Sequence, residues 1–376
     1  MKEIVLMGTG IQAEKFVYEF GEYYDIKYVL DFNPTKDKFL NKYDVYSPTV
    51  ELCSKYFVVV ACDYYRSKII PFFTQMGKEE FVDYVWCEWN EKKVVVLNAN
   101  CYGPQIKKYL QNDSDFSKEY CFYPIPPICE NKLGTIDKHI MSKCSVFIHQ
   151  DIREDNAYGY KLSDKYLLDL LPSNAISITV PNLVGFGKAF YPQSVSSNPN
   201  SRPHPNSKTG LFPHADKLID ELVQQGKTRN EIINICRSGG NFNKNDVQTS
   251  LNVNYRKYKE REKYWDIKVL DMIMDLYRDV QVFYDMVHPA NFIMRKICEE
   301  VMGKVGIHKN LELLGNGINT FEIPLYPEIR EHLSLSWGGW NHIIRKDSAC
   351  KLIQGDMNME EFIKEYLFWC YPNQYV

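Results

Sequence analysis

Two short stretches carry residue types that could do covalent chemistry. In the first, VVVLNANCYGPQIKKYL at 94–110, an apolar run leads into Asn98, Ala99, Asn100 and Cys101, then Tyr102-Gly103-Pro104 and an amphipathic start with Ile106, Tyr109 and Leu110. The pattern predicts a buried strand, a tight turn and a helix. It puts Cys101 on the turn, near the helix's positive end, a placement that favours a nucleophilic thiolate. The second stretch is Asp285-x-x-His288-Pro289, ahead of a helix with Phe292, Ile293, Ile297 and Val301 on one face. An Asp three residues before a His can orient the imidazole and stabilise its charged form, and the imidazole can then take a proton from a nucleophile. Read together, Cys101 is nucleophile, His288 general base and Asp285 its orienting partner. His149 also follows a strand and competes for the base role. Asn182 or Asn98, with backbone N–H groups near Cys101 and Gly103, would supply an oxyanion hole. The plain alternative is a buried structural cysteine and a satisfied structural histidine.

These groups need a scaffold that brings them together. Strands are expected at 94–97, 145–148 and 176–180, each ending in a polar cluster: Asn100/Cys101, His149/Gln150/Asp151 and Asn182. A helix over 163–171, with Ser163 as N-cap, falls between the second and third. Strands alternating with helices predict a parallel sheet, where polar clusters at the carboxyl ends converge. Upstream, residues 1–90 read as a smaller α/β unit with strands at 4–7, 26–30 and 57–61. Gly8-Thr9-Gly10-Ile11-Gln12-Ala13 follows the first strand, and Asp31 ends the second. Strand, glycine turn, helix, strand and acid make the G-x-G-x-x-A dinucleotide fingerprint, with Gly8, Gly10 and Asp31 as its binding residues. With only half of a two-mononucleotide fold, a structural role without ligand weighs as much as a nucleotide site. Residues 86–93, WCEWNEKK, are expected to link the two units.

Further on, 193–210 is rich in Ser, Asn and Pro and reads as an exposed loop, a lid if it has a function. Helices are expected at about 214–225, 228–237 and 248–278, and a helical extension fills 326–376. Arg202, Lys208, Lys107, Arg256 and Arg261 are the basic residues suited to phosphates, although solvated surface positions explain most such side chains.

Composition narrows the classes. A net charge of −3 gives no reason to expect nucleic acid as a partner. The 11 cysteines are scattered without CxxC pairs, which argues for reduced thiols and against a zinc site. No signal peptide and no run of 18 apolar residues is present, so a cytoplasmic protein is expected, at most peripheral to a membrane.

The order of Cys101 after its domain's first strand and Asp285-x-x-His288 before a late helix resembles the SGNH hydrolase and esterase superfamily, with Cys standing where that superfamily has Ser. Residues 1–90 resemble the short Rossmann-like domains attached to sugar-modifying enzymes of bacterial surface-polysaccharide pathways, which implies a nucleotide or nucleotide-sugar ligand. Residues 93–305 resemble a narrower family, the WcbI-type polysaccharide biosynthesis proteins, through VVVLNANCYG, VFIHQDIRED, LLPSNAISITVPN, Phe212-Pro213, Gly226-Lys227-Thr228, Arg261-Glu262 with Asp266, and MVHPANFIM. That family's turn is usually Gly-Asn-Cys-Gln, whereas this chain has Ala99-Asn100-Cys101-Tyr102. The resemblance implies a two-domain α/β protein: a Rossmann-like domain (1–90), an SGNH-like parallel-sheet domain with helical insertions (93–325), and the C-terminal extension. It also implies coenzyme A or acetyl-coenzyme A as co-substrate and acetyl transfer to a sugar hydroxyl of a capsular or lipopolysaccharide glycan. A carbohydrate esterase using water as acceptor, and a non-catalytic nucleotide-sugar-binding scaffold, are the other classes the residues allow.

Overall fold

The computed structural model describes residues 2–62, 68–79, 82–87, 92–123, 125–131, 134–136, 138–202, 212–314, 322–343 and 357–375. Contacts divide the chain into Met1–Val95 with Lys118–Pro124, and Val96–Ser117 with Ile125–Val376. The 326–376 segment therefore groups with the second unit.

The first unit contains β1 (Lys2–Met7), α1 (Ile11–Phe20), β2 (Tyr24–Leu30), β3 (Lys38–Phe39), β4 (Tyr43–Tyr46), α2 (Val50–Lys55), β5 (Phe57–Val60), α3 (Ile70–Gln75) and β6 (Tyr84–Trp86). The strand order is β3-β4-β2-β1-β5-β6, parallel except at the β3 edge. β1 reads as an apolar run because Ile4, Val5 and Leu6 are wholly buried in the sheet's centre. The order reverses at β1, where open parallel sheets leave a crevice beyond the strand ends. Of residues 86–93, expected to link the two units, Trp86 ends β6, which pairs with Val58–Val60 as the sheet's last strand, Lys93 begins the next strand, and 88–91 lie outside the described residues.

β7 (Lys93–Asn98) begins the second sheet. It is followed by α4 (Gly103–Asn112), α5 (Ser114–Glu119), β8 (Tyr120–Phe122), α6 (Lys138–Ser142), β9 (Cys144–Gln150), α7 (Asp164–Leu168) and β10 (Ile176–Val180). The order is β10-β9-β7-β8, and the β10–β9 and β7–β8 pairs are parallel. α4 starts where Pro104 occupies its first turn, and Ile106, Tyr109 and Leu110 form its buried face. Ser163 caps α7, accepting from Tyr166 N at 3.4 Å.

A short antiparallel pair, β11 (Ser194–Val195) with β12 (Ala215–Asp216), precedes α8 (Lys217–Gln224), α9 (Arg229–Ser238), α10 (Lys244–Glu262) and α11 (Leu270–Leu276). The single helix expected over 248–278 is thus two. Glu262, 2% exposed, ends the first and accepts hydrogen bonds from Val269 N and Leu270 N at the start of the second. α12 (Asn291–Lys304), α13 (Pro327–Leu333) and α14 (Met359–Cys370) complete the chain. Among the described residues no helix is long and apolar enough to cross a membrane.

Candidate active site at the strand ends

The carboxyl ends of β7, β9 and β10 are tied together by amides. Asn100 N donates to Gln150 Oε1 at 2.9 Å, and Asn100 Nδ2 donates to Asn182 Oδ1 at 3.3 Å. Gln150 Nε2 donates to Pro181 O, and Leu183 N donates to the Tyr102 hydroxyl. Asn100 also turns the chain through Cys101, its Oδ1 accepting from Tyr102 N and its carbonyl from Gly103 N. Cys101 itself is half-buried.

His288 meets Cys101 from the other side of the sequence, near enough for the thiol to help hold the imidazole's charge. The Asp285 carboxylate, wholly buried, takes His288 Nδ1 on Oδ2 at 2.7 Å and the backbone N–H groups of Val287 and His288 on Oδ1. Burial works against a charged imidazole, but the charge and hydrogen bond of Asp285, with the contact to Cys101, outweigh it and push His288 up to about 10. Burial also opposes the Asp285 charge; the two facing histidines, His288 and His214, overcome it and hold the carboxyl well below its usual range. The loop approaches closely behind: a Cβ on Gly187 would lie 2.4 Å from Asp285 O.

His214 carries no motif in the sequence and stands at the start of the helix expected at about 214–225. Its Nε2 lies 3.7 Å from Asp285 Oδ2, and its Nδ1 is buried without a partner among the described residues. One ligand atom from each of His214, Asp285 and His288 falls within 4.8 Å of the others. Both rings face the same carboxylate oxygen, Asp285 Oδ2, His288 through Nδ1 at 2.7 Å and His214 through Nε2 at 3.7 Å, which makes the cluster a charge-coupled acid–base group.

The remaining candidates separate. His149 is 2% exposed. Its Nδ1 pairs with Asp164 at 2.9 Å, its Nε2 with Ser177 and Thr179, and its ring stacks on Phe147. Both nitrogens are occupied within the fold, and neither by Cys101 or His288. Of the oxyanion candidates, Asn98 Nδ2 is committed to Leu162 O and Gly103 N to Asn100 O. Cys101 N and Asn182 Nδ2 make no hydrogen bond among the described residues. Arg261, expected as a phosphate ligand, instead forms a bidentate pair with Asp151 and lies over the Tyr258 ring. Arg256 is exposed on α10, Lys107 half-buried on α4, and Arg202 exposed near Cys370. Lys208 and the rest of 203–210, the second part of the expected loop, lie outside the described residues.

In the first unit, Gly8, Gly10 and Asp31 line a cavity of about 380 Å³ with Thr9, Phe32 and Lys68. Gly8 has φ +118° and a Cβ there would meet Ala61 O at 2.4 Å, so glycine is required. Asp31 is engaged by the Thr9 hydroxyl at 2.6 Å and Asn33 N at 2.9 Å.

Fold and site together define an α/β protein with a Cys–His–Asp group gathered at the carboxyl ends of a parallel sheet. The chain belongs to the WcbI polysaccharide biosynthesis enzyme family, whose sequence profile matches residues 94–310, more than half of the 376. It is similar to a solved structure of WcbI, described as a novel polysaccharide biosynthesis enzyme in its native form without a disulfide bond between coenzyme A and one of its cysteines. The TM-score is 0.59 at 19% identity, over 75% of this chain and 90% of that one, a likeness of fold. No curated protein matches the sequence.

Proposed function

We propose that the protein transfers an acyl group, acetyl in the simplest case, from acyl-coenzyme A to a sugar hydroxyl during surface-polysaccharide synthesis. The observation that carries this is the line Cys101–His288–Asp285, with an imidazole held in its charged form beside a thiol. The Cys101 sulfur, its proton resident on His288, attacks the thioester carbonyl. Cys101 N–H and Asn182 Nδ2 receive the developing oxyanion. Coenzyme A leaves as its thiol, taking the His288 proton, and an acyl-Cys101 thioester remains. The now neutral His288 accepts the proton of the acceptor hydroxyl as its oxygen attacks that thioester. The sugar ester leaves and Cys101 is restored with the proton on the ring.

In this reading the coenzyme's phosphates are assigned to Lys107, Arg202, Lys208 and Arg256; Arg261 is spent on Asp151. The first unit's cavity is read as a nucleotide or nucleotide-sugar site of a Rossmann-like domain, the second unit as SGNH-like, and the protein as cytoplasmic. The description of the WcbI structure names coenzyme A together with one of that protein's cysteines, which supports a thiol-facing donor site here by analogy of family. The test is incubation with acetyl-coenzyme A followed by mass spectrometry of the Cys101 peptide. Acetylation of Cys101, abolished in His288→Ala, is expected. Coenzyme A-dependent transfer that survives Cys101→Ala would eliminate the covalent route.

A further inference from the structure

The two halves of the site ride on two helices. α4 begins two residues after Cys101, and α12 begins three residues after His288. The two helices are in contact, and their buried residues are largely apolar, with Ile106 and Leu110 on one helix and Ile293, Met294 and Ile297 on the other. Apolar contact is non-directional and leaves register weakly specified. Between the helices, besides a long Cys298 Sγ contact to Ile106 O at 4.0 Å, lies a polar clasp: Gln105 Nε2 donates to Asn291 Oδ1 at 3.0 Å, and Tyr109 OH donates to Asn291 O at 3.2 Å. Asn291 is fixed in turn, its Nδ2 donating to Leu314 O and its backbone N to the Tyr284 hydroxyl. Gln105 is 4% exposed and its Oε1 is buried without a partner. Burying an amide and leaving half of it unsatisfied is unfavourable, and an apolar pair would fill the space without that penalty. Buried polar pairs of this kind are best attested as devices that fix register. A one-residue slip along a helix is about 1.5 Å, whereas nucleophile and base must meet within roughly 2.6–3.2 Å.

We propose that Gln105 and Asn291 are positioning residues whose amide–amide hydrogen bond sets α4 on α12, and through it the approach of Cys101 to His288. The proposal rests on the pairing of Cys101 with His288 described above. It is tested in the full-length protein by the rate at which iodoacetamide alkylates Cys101, followed on its peptide, with and without His288→Ala. Two clasp variants are compared: Q105L/N291L, which replaces the pair with apolar groups, and Q105N/N291Q, which keeps both amides but moves their meeting point. Melting temperature reports folding. In the wild-type background His288→Ala is expected to slow alkylation about tenfold or more. In both clasp variants, folded, the same substitution should change the rate less than about twofold, since the imidazole no longer reaches the sulfur. If Q105L/N291L fails to fold, the exchanged pair decides alone. An undiminished His288 effect in a folded clasp variant overturns the positioning role. No His288 effect in the wild-type background overturns the Cys101–His288 pairing itself, and the clasp's function with it.

Discussion

Replacing Asp285 with Asn isolates the charge that holds His288. The amide oxygen can still accept from Val287 N and His288 N, as Oδ1 does now, so the loop should keep its shape. The negative partner 2.7 Å from His288 Nδ1 is lost while the burial remains. The wild-type ring keeps its proton up to about 10, against 6.5 for an ordinary histidine. A folded-state value above the unfolded one stabilises the protein fully below 6.5, and that contribution fades as pH rises through about 10. Across that window the charged ring contributes on the order of 4–5 kcal/mol. In Asp285→Asn the smaller contribution of Cys101 is left to oppose burial, which favours the neutral ring. Urea unfolding of both proteins between about pH 6 and pH 10 measures this directly. The stability gap should be widest at the acid end and close toward the alkaline end. A gap of constant size would refute the reasoning, because it would mean that Asp285 supports the fold without holding a proton on His288.

Gly187→Ala should cost about 3 kcal/mol or more, because the new methyl would sit 2.4 Å from Asp285 O and the backbone there must shift; thermal unfolding checks the loss, and a fall in Cys101 alkylation checks that the shift reaches His288. Arg261→Met should destabilise by about 2–3 kcal/mol, since it leaves the half-buried Asp151 carboxylate unpaired. Adding Asp151→Asn should recover much of that loss in urea unfolding, which a phosphate-binding arginine with no structural partner would not do.

Local spacing made the core of the site readable. Asp285 and His288 are three residues apart, so their pairing lies within reach of a sequence motif. The apolar run before Cys101 and Pro104 after it mark strand, turn and helix by local chemistry alone. What escaped was decided by partners far away in the chain. Arg261 looks like any phosphate-seeking arginine until Asp151, 110 residues earlier, takes it. His149 has the same standing in the sequence as His288, and only Asp164, Ser177 and Thr179 around its ring show that it is held in the fold. The break between α10 and α11 depends on a buried Glu262 turned back onto Val269 and Leu270, and the strand at Tyr84–Trp86 exists only because Phe57–Val60 offers it an edge. His214 stands at the start of the helix expected at about 214–225, but the helix begins only at Lys217, and the contact that brings His214 to Asp285 spans about 70 residues.

The clasp joins residues 186 positions apart, and this has a temporal meaning. A ribosome adding 5–20 residues per second makes Gln105 roughly 10–40 s before Asn291. For that time the nascent chain carries Cys101 with no imidazole to receive its proton. On the proposed mechanism the thiol would stay an unassisted cysteine over that interval, and the dyad would form only when α12 emerges and docks. Premature chain termination anywhere before His288 therefore yields a product that cannot complete the dyad.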